Sequence, residues 1–202
     1  MEESWAGEAM TPHRHVKGGK LTAVKLHQPC VALIIAALLP ALTPAQAADN
    51  NDDIPPSLQP PTGEKPVLKA HATGWQIYTC GNDSDGKPKW TLKAPDADLL
   101  DQKGKIVGHH SAGPVWKYKD GSEVTAKAAA HVDSPDGKSI PWLLLTATGH
   151  SGKGKLADVT SIQRVHTMGG PPPAAAECDA SKINTEARSS YTADYYFYVP
   201  AK

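Results

Sequence analysis

Residues 191–199 read YTADYYFYV, and this stretch decides the fold class. Large side chains recur there at alternate positions, and neighbouring side chains of a β-strand point to opposite faces. The two faces would carry Tyr191, Tyr195 and Phe197 on one side, and Tyr196 and Tyr198 on the other. The pattern therefore predicts a strand with one face in a core, while the other face would be an apolar surface.

The chain before this stretch is divided into short segments by turn residues. Asp-Gly pairs at 85–86, 120–121 and 136–137 suit tight turns because glycine tolerates positive φ. Many short strands separated by turns predict an all-β domain. We expect a single β-sandwich, with a β-barrel as the alternative architecture. One or two short helices would lie over Pro95–Leu100 and Ala174–Arg188.

The N-terminal part of the chain has the layout of an export signal. Basic residues precede an apolar run of 12 residues, Val31–Leu42, and Ala-Gln-Ala ends at Ala47. A membrane-spanning helix needs roughly 20 apolar residues, so this run is too short to be one. We therefore predict a signal peptide over residues 1–47, export to the periplasm or the medium, and no transmembrane segment after cleavage.

Residues 48–66 differ from the rest of the chain in composition. They hold five prolines among acidic and amide side chains, which bury too little apolar surface to offset the entropy of ordering. We predict a flexible proline-rich arm here, with an extended polyproline II segment along the domain as the alternative. Residues 67–202 would form the single β domain.

Two cysteines, Cys80 and Cys178, follow the predicted cleavage site. An exported protein meets an oxidising environment, so we expect them to form a disulfide, with two buried free thiols as the alternative. Lys and Arg total 21 and Asp and Glu total 21, giving a formal net charge of +0. This balance gives no support for nucleic acid as a partner.

An ordered succession of motifs carries a family resemblance. The motifs are GWQIYTC (74–80), Trp90 with APDADL (94–99), GHHSAGPVW (108–116), DGSEV (120–124), PWLLL (141–145), VTSIQRVHTMGG (159–170), Cys178 and YTADYYFYVP (191–200). Together they resemble the bacterial and fungal domain-of-unknown-function family 3455. The resemblance implies an exported single domain without an established activity. No G-x-G-x-x-G loop is present to cradle a dinucleotide, and no cofactor is expected.

Four residues are candidates for a binding site. His110 is the candidate catalytic acid or base, and Trp116 would stack on a ligand unless it belongs to the core. Arg164 lies amid apolar neighbours in SIQRV, where a carboxylate partner such as Asp120 is expected; otherwise it would bind an anion, with Asp120 lining the same site. The histidines lack the spacing of a metal-ligand set, so we expect no metal site.

These observations favour a non-catalytic binding or envelope-associated module. Its partner would be a small molecule, a glycan or a protein. The alternative is an exported enzyme, hydrolase-like or metal-dependent, that acts on a small anionic substrate. The enzyme hypothesis predicts one pocket that contains His110 and Arg164 and perturbs the histidine pKa. The binding module predicts an exposed aromatic or apolar face and no pocket where titratable groups converge.

Overall fold

A computed structural model describes residues 53–202 of the chain. The predicted signal peptide, residues 1–47, and the first residues of the predicted arm lie outside the described residues. The strands are β1 (Glu64–Asn82), β2 (Pro88–Leu100), β3 (Ile106–Ser111), β4 (Val115–Tyr118), β5 (Glu123–Val132), β6 (Trp142–Ser151), β7 (Ser161–Gly169) and β8 (Glu186–Pro200). The prediction of an all-β fold is confirmed.

The strand order closes on itself. Each strand pairs antiparallel with the next one along the chain, and β1 also pairs antiparallel with β8, from Glu64 opposite Pro200 to Thr79 opposite Glu186. All eight strands therefore belong to one continuous ladder of hydrogen bonds. This closed order corresponds to the barrel alternative, because a sandwich would divide the strands between two separate sheets.

The main core fills the space that the closed sheet surrounds. One face of β8 supplies Tyr191, Tyr195 and Phe197, each no more than 2 % exposed. The other strands add small or branched residues, including Ala70, Ala72, Ala97, Leu99, Val124, Leu145 and Ile162. The predicted core face of residues 191–199 is therefore confirmed.

The opposite face of β8 is covered by the segment before β1. Tyr196 and Tyr198 form a second apolar cluster with Ile54 and Leu58, and the Leu58 side chain is fully buried. Gln163 fixes the segment, because its Nε2 donates to the Leu58 carbonyl oxygen at 2.6 Å. Residues 54–58 thus pack against the domain, which differs from a flexible arm, and the outer face of β8 is not a free apolar surface.

Helical structure is limited to two 3-10 turns within the described residues, Pro56–Leu58 and Ala175–Glu177. The helix expected over Pro95–Leu100 is wrong: these residues end β2, because their side chains alternate between buried and outward positions with a period of two. Most of Ala174–Arg188 is irregular, and β8 begins within it. No helix among residues 53–202 has the length and apolar character needed to cross a membrane.

A disulfide joins Cys80 to Cys178, as expected. Cys80 lies near the end of β1, and Cys178 follows the second 3-10 turn in the connection from β7 to β8. Tyr78 supports the same connection, since its hydroxyl donates to the Gly170 carbonyl oxygen at 2.7 Å. The disulfide therefore ties the long β7–β8 connection to β1.

Candidate functional site

A cavity of about 180 Å³ extends into the closed sheet, and every strand contributes to its wall. Most of the wall is apolar, formed by Leu92, Pro95, Pro114, Ala128, Leu143 and Leu145. The polar groups come from Gln76, His110, Trp116, Arg164 and Tyr195. The structure thus brings together three of the four residues that the sequence analysis selected. An apolar cavity with a few converging polar groups is the usual form of a small-molecule site.

Arg164 brings a positive charge to this cavity. Its Nε and Nη2 atoms donate to the Pro141 carbonyl oxygen at 3.3 and 2.9 Å. Within residues 53–202 no carboxylate lies within ion-pair distance of Arg164, so the expected pairing with a carboxylate such as Asp120 is wrong. Pro141 occupies the side-on edge of the guanidinium. The end-on edge, formed by N–H groups of Nη1 and Nη2, has the forked geometry that fits a carboxylate.

His110 and Trp116 are stacked at the wall of the cavity. Their ring centroids lie 4.1 Å apart with 7° between the ring planes, and Tyr195 packs edge-on against both rings. Trp116 also belongs to the core, the alternative expected for it, since its side chain is 1 % exposed. The tryptophan therefore serves the core and the cavity wall together, because a closed sheet places both on its inner face.

The protonation state of His110 follows from its surroundings. Its Nδ1 lies 2.9 Å from the Val115 carbonyl oxygen, which only accepts hydrogen bonds, so Nδ1 carries the proton. Burial lowers the pKa of His110 from 6.5 to about 3, and the positive charge of Arg164 acts in the same direction. The ring is therefore neutral at physiological pH, and its Nε2 is an acceptor.

Several buried polar atoms at this site lack a hydrogen-bond partner among the described residues. They are Gln76 Oε1, Trp116 Nε1, Tyr191 Oη and Tyr195 Oη. The Tyr195 hydroxyl interacts with the side chains of Tyr191, Arg164 and Trp116, although none of these contacts has the geometry of a normal hydrogen bond.

The two tyrosines remain donors. Burial is the largest cause that raises the pKa of Tyr191 and of Tyr195 above the usual value of 10.0, so both hydroxyls keep their protons at physiological pH. The guanidinium of Arg164 and the indole of Trp116 only donate. Three of these four side chains, Trp116, Arg164 and Tyr195, line the cavity, and the Arg164 guanidinium is the charged group that would attract an anion there.

Asp120 lies outside this cavity. It belongs to the turn between β4 and β5, where its carboxylate accepts hydrogen bonds from the backbone and hydroxyl of Ser122 and from the backbone N–H of Lys155. Gly154 allows the close approach of this loop, because a Cβ there would lie 2.2 Å from an Asp120 oxygen. Asp120 thus organises two neighbouring loops and has no contact with Arg164 or His110 among the hydrogen bonds and ion pairs described.

No catalytic dyad is present around His110 in the described part of the chain. Ser111, the hydroxyl next to it in sequence, is its neighbour on β3, and adjacent strand residues point to opposite faces. Ser122 donates to Asp120 and accepts from the Leu156 backbone. Across residues 53–202 no group of three or more His, Cys, Asp or Glu side chains is arranged to hold a metal ion.

A larger groove of about 570 Å³ lies on the outer surface of β1, β7 and β8. Trp75 and Met168 line it and are 43 % and 69 % exposed. No charged side chain lines this groove. It is the exposed apolar surface that the binding-module hypothesis predicts, but it lacks groups that would orient a small ligand.

Sequence reasoning missed Gln76 and Tyr195 as members of the site. Gln76 is 2 % exposed and shares the inward face of β1 with Tyr78 and Cys80. A polar residue on the buried face of a strand is the signal that would have identified it. Gly170 packs behind it, since a Cβ there would lie 3.3 Å from Gln76 Cγ and 2.9 Å from Tyr191 Cβ, and its φ is +84°.

Comparison with known proteins places the chain in a family. A family model described as "Protein of unknown function (DUF3455)" matches residues 61–199, which is more than half of the chain and includes every residue that lines the cavity. Searches of curated proteins and of solved structures found no match. The family resemblance of the sequence motifs is thereby confirmed: the chain belongs to the DUF3455 family.

Proposed function

We propose that this domain binds a small organic anion, of the carboxylate type, in the cavity inside the sheet. The observation that carries the proposal is Arg164, a partly buried cation that lines the cavity and has no carboxylate partner within the described residues. A charge removed from water costs free energy unless an opposite charge or hydrogen bonds compensate it. A bound anion would supply that compensation.

The other groups at the cavity support the same ligand class. Trp116 Nε1 and the Tyr195 hydroxyl are buried beside Arg164 without a hydrogen-bond partner among the described residues, and no acidic side chain lines the cavity. The cavity volume of about 180 Å³ equals that of roughly six molecules of liquid water, so the ligand is compact. The apolar wall favours an anion whose remaining atoms are hydrocarbon or aromatic.

We propose binding rather than catalysis as the activity, although His110 and Arg164 share one pocket and the pKa of His110 is lowered, as the enzyme hypothesis predicts. His110 is a weak base at this site because its pKa is lowered to about 3. Its Nδ1 donates to a backbone carbonyl oxygen, and no serine, threonine or cysteine lines the cavity. An anion-binding pocket without an activated nucleophile fits a carrier or sensor module better than a hydrolase.

We also propose that the protein is exported, to the periplasm or the medium. The apolar run before Ala47 supports export, and so does the disulfide between Cys80 and Cys178, since disulfides persist in oxidising compartments. Fractionation of cells that express the full chain, with N-terminal sequencing of the recovered protein, tests this. Recovery in the cytosol with an intact N-terminus would contradict it.

Titration with small anions tests the binding proposal. Benzoate, butyrate and the neutral isostere benzamide should be compared by calorimetry, with Arg164→Gln as the test variant and Arg188→Gln as the matched control. Arg188 is exposed and its nearest carboxylate oxygen, on Asp96, lies 3.9 Å away. We expect carboxylates to bind and benzamide not to bind.

The two variants separate a specific site from a general charge effect. Arg164→Gln should weaken benzoate binding by about tenfold or more, because a charge-assisted hydrogen bond is lost. Arg188→Gln should retain the wild-type affinity. Absence of binding by every carboxylate, or equal weakening in both variants, would contradict the proposal, and consumption of a bound acid would favour the enzyme alternative.

A further inference from the structure

We infer that the outer surface of the domain carries a second binding site, and that its ligand is a neutral polysaccharide. The site is the groove of about 570 Å³ on the outer face of β1, β7 and β8. It lies on the other side of the sheet from the cavity that contains Arg164, so the inference does not rest on anion binding there. A volume of this size falls within the range of about 300–1,000 Å³ that is usual for ligand sites.

Trp75 supplies the aromatic surface of the groove. The next residue on β1, Gln76, faces the inside of the sheet, so the indole of Trp75 points outward, and 43 % of the residue is exposed. The C–H groups of a hexopyranose ring form an apolar face that packs flat on an aromatic ring, and the indole N–H remains free to bond at its edge. Trp75 therefore offers a platform for one sugar ring.

Three hydroxyl groups surround this platform. Ser190 pairs with Trp75 across β1 and β8, and Thr192 pairs with Thr73 two residues away on the same face. All three hydroxyl residues line the groove, and none of these hydroxyls has a hydrogen-bond partner among the described residues. A hydroxyl both donates and accepts, so each one can bond to the hydroxyls at the rim of a sugar ring.

Strand β7 forms the remaining side of the groove. Met168 pairs with Thr192 and is 69 % exposed. The register of β7 against β8 shifts just before Met168, at a bulge in which His166 has a φ of 51°. Bulges change the direction of side chains next to binding sites. Gly169 leaves the floor of the groove as bare backbone, because a Cβ there would lie 2.5 Å from a carbonyl oxygen of β8.

The charges around the groove favour a neutral ligand over an acid. No charged side chain lines the groove. Beyond one end, the Asp194 carboxylate lies 2.9 Å from His71 Nδ1 and 3.1 Å from His166 Nδ1. Beyond the other end, Arg188 lies 3.9 Å from an Asp96 oxygen. These positive and negative groups are thus paired with one another, and a carboxylate on the ligand would gain little from them.

The lining also matches a sugar chain better than an apolar peptide. Among the described residues that line the groove, the large exposed apolar side chains are those of Trp75 and Met168, and the other exposed side chains are hydroxyls. The centre of a protein interface is instead rich in aromatic residues and methionine and poor in serine. A sugar ring is apolar on its faces and polar at its rim, which complements one aromatic platform bordered by hydroxyls.

Titration with neutral oligosaccharides tests the inference. The protein should be titrated by calorimetry with cellohexaose, chitohexaose and maltohexaose, and with hexagalacturonate as the anionic comparison. We expect at least one neutral hexasaccharide to bind and hexagalacturonate not to bind. In assigned NMR spectra the indole N–H resonance of Trp75 should shift during the same titration, which locates the ligand on the groove.

Two variants separate the platform from the hydroxyls. Trp75→Ala should weaken binding by about tenfold or more, because truncation of a tryptophan at the centre of a site removes a dominant contact. Thr192→Val keeps the branched shape without the hydroxyl and should weaken sugar binding by about three- to tenfold, whereas an apolar ligand would bind no less tightly. Ile106→Ala, at a residue that is 56 % exposed and outside the groove, is the matched control and should keep the wild-type affinity.

Each outcome decides for or against the inference. Binding by none of the neutral hexasaccharides at millimolar concentration would overturn it, and so would binding of hexagalacturonate alone. An unmoved Trp75 resonance, equal weakening in Trp75→Ala and Ile106→Ala, or unchanged affinity in Thr192→Val would overturn it as well. Thermal unfolding checks that the variants are folded, and if Trp75→Ala does not fold, the resonance shift in the unaltered protein decides. Benzoate binding is measured in a separate titration, so failure of the proposed function and failure of this inference are distinguishable.

Discussion

Acidification should destabilise this domain through His110. The folded state keeps the ring neutral down to a pKa of about 3, whereas the unfolded chain protonates it with a pKa near 6.5. The unfolded state therefore binds the proton more readily, and the stability contributed by the neutral ring is lost as the pH falls from 6.5 towards 3. At pH 4 the difference is about 2.5 pH units, which corresponds to about 3 kcal/mol of unfolding free energy at 1.36 kcal/mol per unit.

Urea unfolding at pH 7.5, 6, 5 and 4 measures this effect in the wild type, in His110→Gln and in His131→Gln. His131 is exposed and serves as the control. The carboxylate of Asp136, whose pKa is lowered by the hydroxyls of Ser134 and Ser139, loses its stabilising effect as the pH approaches and falls below 3.8, and this loss is common to all three proteins. We expect the wild type and His131→Gln to lose about 3 kcal/mol more than His110→Gln. An equal loss in all three proteins would refute the argument.

Three further predictions concern parts of the fold around the cavity. Leu58→Ala should lower the unfolding free energy by about 2–5 kcal/mol in urea titrations, because a fully buried leucine is truncated; a flexible arm would show no change. Replacing both Cys80 and Cys178 by serine should cost about 2–5 kcal/mol in the same assay, and no loss would mean that the disulfide does not restrain the unfolded chain. Asp120→Ala should accelerate amide hydrogen exchange at Lys155 without weakening benzoate binding. Loss of binding would instead show that Asp120 contributes to the binding site.

Local pattern was sufficient to predict the fold class. The alternation of residues 191–199 and the Asp-Gly turns correctly predicted strands, since both depend only on neighbours in sequence. The same reasoning failed at Pro95–Leu100, where a short helix was expected but Ala97 and Leu99 face the core of a strand. The flexible arm was predicted from the average composition of residues 48–66. An average does not show that one residue, Leu58, packs into an apolar cluster and holds the segment against the domain.

The candidate site was only partly predictable because sheet closure determines which strands face one another. His110 and Trp116 pair across β3 and β4, so their proximity follows from one hairpin. Arg164 and Gln76 reach the same cavity from β7 and β1, and nothing near them in sequence indicates this. Asp120 was assigned to the site because of its charge. In the structure its carboxylate instead accepts hydrogen bonds from the backbone of Ser122 and Lys155, outside the cavity.

The pairing of β1 with β8 has a consequence for how the chain acquires its structure. Partners such as Trp75 and Ser190 are more than a hundred residues apart, and contacts of such long range form slowly because a large loop must first close. The cavity needs this seam, since Gln76 and Tyr195 lie on its two sides. The Cys80–Cys178 bond sits beside the seam, so oxidation before folding would bring the start of β8 close to the end of β1. We expect the oxidised chain to refold faster than the reduced one, which makes the timing of thiol oxidation part of the assembly of the ligand cavity.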